Sequence, residues 1–196
     1  MSRLAALLLL APLTAWAGAQ QYEVLADSVR QRMSTMVSDR APATINFKSS
    51  ADGQRWLAEM DARLEARVPD RKQRLELQRT VHYESLRAGL DPQLVLGIIE
   101  IESGFRKYAV SAAGARGFMQ VMPFWTGLIG HSKQNLFHMR TNIAYGCTIL
   151  RHYLDVEKGD YFRALGRYNG SLGKSEYPNL VLSAWKGRWK YDGPTA

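Results

Sequence analysis

From Gln54 to the C-terminus the apolar residues recur three or four positions apart almost throughout, the period of helices that bury one face. Trp56, Leu57, Met60 and Leu64 mark the first such face, and Pro69-Asp70 breaks it. A second helix is predicted over 71–88, closing at Gly89, a residue suited to a left-handed cap. The next opens at Asp91, whose carboxyl can accept from first-turn amides, with Pro92 at the first helical position, where no N–H is needed. Pro123 opens a short helix through Gly127, and residues 142–156 form a long one with Ile143, Cys147, Leu150 and Leu154 inward. Gly159-Asp160 turns into a helix ending near Tyr168, and Pro178 opens the last. Upstream, Leu25, Val29, Met33 and Met36 give a modest amphipathic helix over 22–38, followed by an aperiodic loop or linker over 39–53. Ala43 to Phe47 is the one strand candidate. The pattern predicts a mostly α protein: an N-terminal helix and linker over 20–53, then a single compact domain over 54–196.

The first residues stand apart. Met1-Ser2-Arg3 is a short basic stretch, Leu4 to Leu13 is apolar and broken by Pro12, and Ala15-Trp16-Ala17 and Ala17-Gly18-Ala19 both offer small-x-small cleavage sites. This predicts a cleaved secretory signal over 1–19 and a periplasmic protein. The run falls short of the ~20 apolar residues a membrane anchor needs, and no Cys stands ready for lipid attachment, so no stable membrane anchor is expected after cleavage. Cys147 is the single cysteine, on an apolar face, so it reads as packing and permits no internal disulfide. The four histidines, His82, His131, His138 and His152, are scattered without ligand spacing; neither metal nor cofactor is expected. Removing Arg3 with the leader leaves 25 Lys and Arg against 18 Asp and Glu, a balance of +7. Such a surface suits an anionic partner: nucleic acid, anionic lipid, or acidic envelope polymers. Export makes nucleic acid the poorest of these. A plainer reading leaves Arg63, Arg67, Arg71 and Arg74 as a solvated helix face.

Two acids sit two residues apart near the end of the Asp91 helix, and helical geometry sorts them. Val95, Ile98, Ile99 and Glu102 share one side, while Glu100 points roughly 200° away from Glu102 at about 100° per residue. Glu100 can be solvated. Glu102 continues the apolar stripe, where burial raises a carboxyl pKa toward what a general acid near neutral pH needs. The alternative is a helix-end carboxylate paired with Arg106, although Gly104 is expected to end the helix before that pair can form.

Downstream lie Gly117-Phe118-Met119-Gln120, then Asn142-Ile143, then Tyr168-Asn169-Gly170. Glu102-Ser103, Gly-x-Met-Gln about fifteen residues later, Asn-Ile and Tyr-Asn-Gly, in that order, resemble the catalytic domain of the soluble lytic transglycosylases over roughly 75–189. The resemblance implies a lysozyme-like transglycosylase fold and cleavage of the β-1,4 MurNAc–GlcNAc bond of peptidoglycan to give 1,6-anhydromuramyl ends. Glu102 would then be the acid and base, and Tyr168 the tyrosine whose hydroxyl reaches its carboxyl. Ser103, Ser111, Met119, Gln120, Asn142 and Asn169 would line the sugar cleft, Gln120 as an amide donor.

Each of these has a plainer reading: Ser103 bonding backbone, Met119 and Tyr168 as core, Asn142 as a helix cap. Phe118 replaces the usual Leu, Met139-Arg140-Thr141 the usual Asp-Pro, and Gly170-Ser171 the usual Ala-Gly. Two rivals stay open. A goose-type lysozyme-like hydrolase would need a second carboxylate such as Glu84 or Glu100, and a non-catalytic peptidoglycan-binding module would keep the cleft without turnover. The glycan strands of peptidoglycan are the expected partner, and a larger envelope machine is a further one that the basic surface admits.

Overall fold

The computed structural model describes residues 20–194, and eight α-helices carry these described residues. They are α1 Asp27–Ser38, α2 Ser50–Leu64, α3 Arg71–Arg87, α4 Pro92–Ser103, α5 Phe124–Ile129, α6 Met139–Val156, α7 Tyr161–Asn169 and α8 Glu176–Lys186. The predicted signal over 1–19 lies outside the described residues. Local chemistry sets most boundaries. Asp70, Asp91 and Asp160 cap α3, α4 and α7 through their carboxyls, Pro92 sits in the first turn of α4, and Gly104 and Gly170 close α4 and α7 in the left-handed conformation. No helix among the described residues is long and apolar enough to cross a membrane.

Helices α3 and α8 pack on α4, whose residues from Leu94 to Ile99 are buried all round. Gly97 makes the closest approach: a β-carbon there would stand 3.3 Å from the Trp185 amide of α8, so the two helices meet backbone to backbone. Trp56, Trp125 and Trp189, all at 0% exposure, fill the core from three separate parts of the chain. Each such side chain contributes about 2–3 kcal/mol by burial. Met33 and Val37 of α1 belong to the same core.

Several expectations change. Residues 43–47 form no strand; the described residues contain only the isolated bridges Val110–Arg116 and Arg116–Val121. Ile45 and Phe47 instead lie on the core, the Phe47 ring stacking 4.6 Å from that of His82. Helix α6 begins at Met139, so Asn142 stands inside it and does not cap it. Nor do Arg63, Arg67, Arg71 and Arg74 form one solvated face: Arg71 is exposed, but the other three are paired. Arg74 is 4% exposed and grips Asp61 through two nitrogens at 2.6 and 3.1 Å, while Arg67 reaches Glu100 at 2.8 Å. Glu100 itself is held by Arg67, Arg188 and the Trp189 indole N–H, the last at 2.7 Å. It points away from the Glu102 face as the periodicity requires, but into an ion-pair cluster rather than into water.

Candidate active site

Glu102 occupies the last turn of α4, 1% exposed, on the stripe of Val95, Ile98 and Ile99. The Tyr177 hydroxyl of α8 donates to its Oε1 at 2.7 Å. Burial, and then the Glu102 charge, push the Tyr177 phenol well above the ordinary range, so it remains a donor at any physiological pH. Gly104 turns left-handed directly after α4, and the Arg106 Nε donates to Ser103 O at 2.9 Å.

Beyond α4 the chain builds a small platform from residues 109–121. Arg116 and Val121 exchange both backbone hydrogen bonds at 3.0 Å, and the Gly117 amide donates to Ala109 O at 2.9 Å. Side chains from three helices grip this platform. Ser103 Oγ of α4 stands 2.8 Å from Phe118 O and 3.0 Å from Ile99 O. Asn142 of α6 accepts the Met119 amide at 2.7 Å and donates to Arg116 O and Leu136 O at 2.7 and 2.9 Å. Tyr168 of α7 donates to Met119 O at 2.7 Å. Met119 thus has its N–H and its carbonyl each bound by a buried side chain, and its thioether lies against Gly146 of α6, where a β-carbon would come within 2.4 Å of the sulfur. Gly117 is required twice over. Its φ is +76°, and a β-carbon would fall 2.5 Å from Asn142 Nδ2 and 2.6 Å from Leu136 O.

A family model for the transglycosylase SLT domain matches residues 79–179, a span that holds Glu102, the platform and Tyr177. The chain belongs to this family. It is 33% identical over 115 residues to a protein named transglycosylase from Enterobacteria phage PRD1, covering 55% of this chain and 42% of that one. Over 94 residues it is 38% identical to the membrane-bound lytic murein transglycosylase C of Mannheimia succiniciproducens, covering 43% of this chain and 25% of the relative. The chain therefore spans less than half the length of these relatives. A solved structure of an inactive mutant of the lytic transglycosylase Slt from Pseudomonas aeruginosa superposes with a TM-score of 0.45 at 24% identity, over 66% of this chain and 22% of that one.

Within this SLT domain the residues singled out from sequence fall into two groups. Ser103, Met119, Gln120, Asn142 and Tyr168 converge on the platform, and their side-chain hydrogen bonds run mostly to its backbone. Gln120, 2% exposed at φ +48°, directs its side-chain N–H groups to Gly117 O and Ala109 O at 2.9 and 3.2 Å. Its amide is spent on the loop, where the sequence reading placed a sugar donor. Met119 is core at 0% exposure. Ser111, within the platform, is half-buried and accepts from the Ala115 amide at 3.0 Å, and Asn169 is the buried last residue of α7.

The largest departure concerns the tyrosines. A phenol has one hydrogen to give, and Tyr168 gives its own to Met119 O; the phenol that donates to Glu102 Oε1 is Tyr177. Sequence reasoning passed over Tyr177, although a signal was present. Tyr177, Val181 and Ala184 form an apolar stripe at helical spacing, and a buried tyrosine hydroxyl seeks a partner. Among the described residues no cluster of His, Cys, Asp and Glu could hold a metal ion.

Proposed function

We propose that this protein is an exported lytic transglycosylase that cleaves the β-1,4 MurNAc–GlcNAc bond of peptidoglycan with Glu102 as its single acid and base. The observation that carries the reading is a carboxyl buried to 1% exposure on an apolar helix face, held by a phenol at 2.7 Å beside a braced loop. Burial favours the neutral acid, the form that can protonate the leaving glycosidic oxygen. Once the proton has moved, the carboxylate left behind accepts the Tyr177 hydroxyl more strongly than the neutral acid did. It then takes the proton of the muramyl C6 hydroxyl as that oxygen bonds to C1, closing a 1,6-anhydro ring and regenerating the acid. Substrate-assisted glycosidases of this kind need no second carboxylate.

The hydrolase alternative does need one, and both candidates are committed elsewhere. Glu84 pairs with Arg87 and Arg140 at 2.6 and 2.9 Å, and Glu100 pairs with Arg67 and Arg188. Carboxylates so neutralised are poor bases for a water. Within this reading Tyr177 positions Glu102, and Ser103, Met119, Gln120, Asn142 and Tyr168 shape the glycan-facing loop. Ser111 and Asn169 remain candidate sugar contacts, the leader over 1–19 directs export to the periplasm, and the basic surface faces the anionic wall.

Mass spectrometry of digested sacculi tests the reading. Anhydro ends are expected from the native protein and none from Glu102→Gln, an isostere without the proton. Loss of a general acid is expected to cost about 10²–10⁴-fold in rate. Reducing ends would assign a hydrolase, and full activity in a folded Glu102→Gln would end the proposal. Glu100→Gln is the control: it is expected to turn over normally while unfolding at lower temperature, since it weakens the cluster with Arg67 and Arg188.

A further inference from the structure

We infer that Gln20, at the start of the described chain and outside the 79–179 span of the SLT domain, is a positioning residue that holds the glycan-facing loop in its working shape. The inference rests on the reading of Glu102 as the acid.

The platform leaves one side unpaired. Along an extended segment successive backbone groups face opposite ways. Val121 uses its N–H and C=O on Arg116, so Gln120 O and Met122 N face outward, away from that partner. Gln20 fills the place a neighbouring strand would take. Its Nε2 donates to Gln120 O at 3.3 Å and its Oε1 accepts from Met122 N at 3.1 Å. Its side chain also lies beside the Tyr168 hydroxyl, the group that grips Met119 O. One side-chain amide therefore bridges residues 120 and 122 from outside.

The burial pattern agrees. Gln20 is 3% exposed, whereas Tyr22 and Val24 beside it are 64% and 89% exposed. The strap is fastened further along by the edge-on contact of Tyr22 with Phe124 at 5.6 Å and by Glu23 with Arg167 at 3.5 Å. What it restrains is a loop under local strain, because Gln120 is a non-glycine residue held at φ +48°. Tyr168, beside Gln20, lies within the field of Glu102. Releasing the strap frees the loop on the side its own ladder cannot hold, and the geometry around the acid loosens with it.

Two variants of the full chain, Gln20→Ala and Gln20→Glu, separate this from a general loss of stability. Amide hydrogen exchange reads the docking without any reference to activity. In Gln20→Ala the Met122 amide is expected to exchange faster, whereas Gln20→Glu retains an acceptor and keeps that amide protected. Turnover of sacculi is expected to fall about tenfold or more in Gln20→Ala, the scale of loss when a reacting group is slightly misplaced. Binding of sacculi, measured in the Glu102→Gln background, should stay within about twofold, and Gln20→Glu should recover part of the rate. Unchanged Met122 exchange in Gln20→Ala overturns the docking. Faster exchange with a native rate, or a rate loss recovered entirely by lowering the temperature, overturns the positioning role. Activity in Glu102→Gln would instead strike the proposed function and leave the exchange result standing.

Discussion

Tyr177→Phe removes one oxygen from the molecule and one hydrogen bond from Glu102. The ring stays, so packing at this fully enclosed position changes little. What is lost is the 2.7 Å donation to Oε1. A hydrogen bond to a neutral partner contributes about 1 kcal/mol, and one to a charged partner about 1.5–3 kcal/mol. In the proposed reaction Glu102 begins neutral and becomes charged as its proton leaves. The part of the bond expressed in the transition state is the difference, about 0.5–2 kcal/mol, which corresponds to roughly two- to thirtyfold in rate. Because the hydroxyl favours the carboxylate, its loss makes the acid hold its proton more tightly, and the alkaline limb of the pH–rate profile moves to higher pH. Initial rates of anhydromuropeptide release from sacculi, measured from pH 4 to 9, give both quantities. An unchanged rate with an unmoved profile would refute the reasoning. So would a loss as deep as that of Glu102→Gln, which would make Tyr177 a proton carrier rather than a positioning group.

Two further outcomes test the frame around the site. Gly117→Ala forces a β-carbon between Asn142 Nδ2 and Leu136 O at positive φ and should cost about 2–4 kcal/mol, strain and overpacking together, read from urea unfolding. Arg74 holds the Asp61 carboxyl below its ordinary range, chiefly through hydrogen bonding. That stability is fully present above about pH 4 and is lost as pH falls through the folded value, so Arg74→Met should destabilise far more at pH 6 than at pH 2.5 in thermal melts followed by circular dichroism.

Much of this structure is legible in the chain because its boundaries are written locally. Asp91-Pro92 starts α4, Gly104 stops it, and the stripe between them places Glu102 inside. Tertiary partners are not written locally. Period alone sent Glu100 outward, and it could not reveal that Arg188 and Trp189 from the far end of the chain would meet it there. Tyr177 was hidden for the same reason, since its partner is 75 positions away. The motif residues show a subtler limit. Their order identifies the family, but a Gln or an Asn in a motif carries the same letters whether its amide faces a sugar or a neighbouring carbonyl. Here Asn142 and Gln120 face carbonyls, and only the fold could say so.

The two acids of α4 also fix how much chain must travel together if this domain is moved into another protein. A graft cut to the 79–179 span would begin partway along α3 and stop partway along α8. It would carry Glu102 and Tyr177 but leave behind Arg67, Arg188 and Trp189, stranding the Glu100 carboxylate with no counter-charge and opening the seat of an indole that is 0% exposed. It would also discard the amide that backs the loop at Gln120. The contacts that hold the domain together reach from Gln20 to Tyr191, and the Lys190 carbonyl takes the guanidinium of Arg63 at 2.6 Å. The motif fits in about a hundred residues; the partners of Glu100 and the amide behind the loop lie on either side of them.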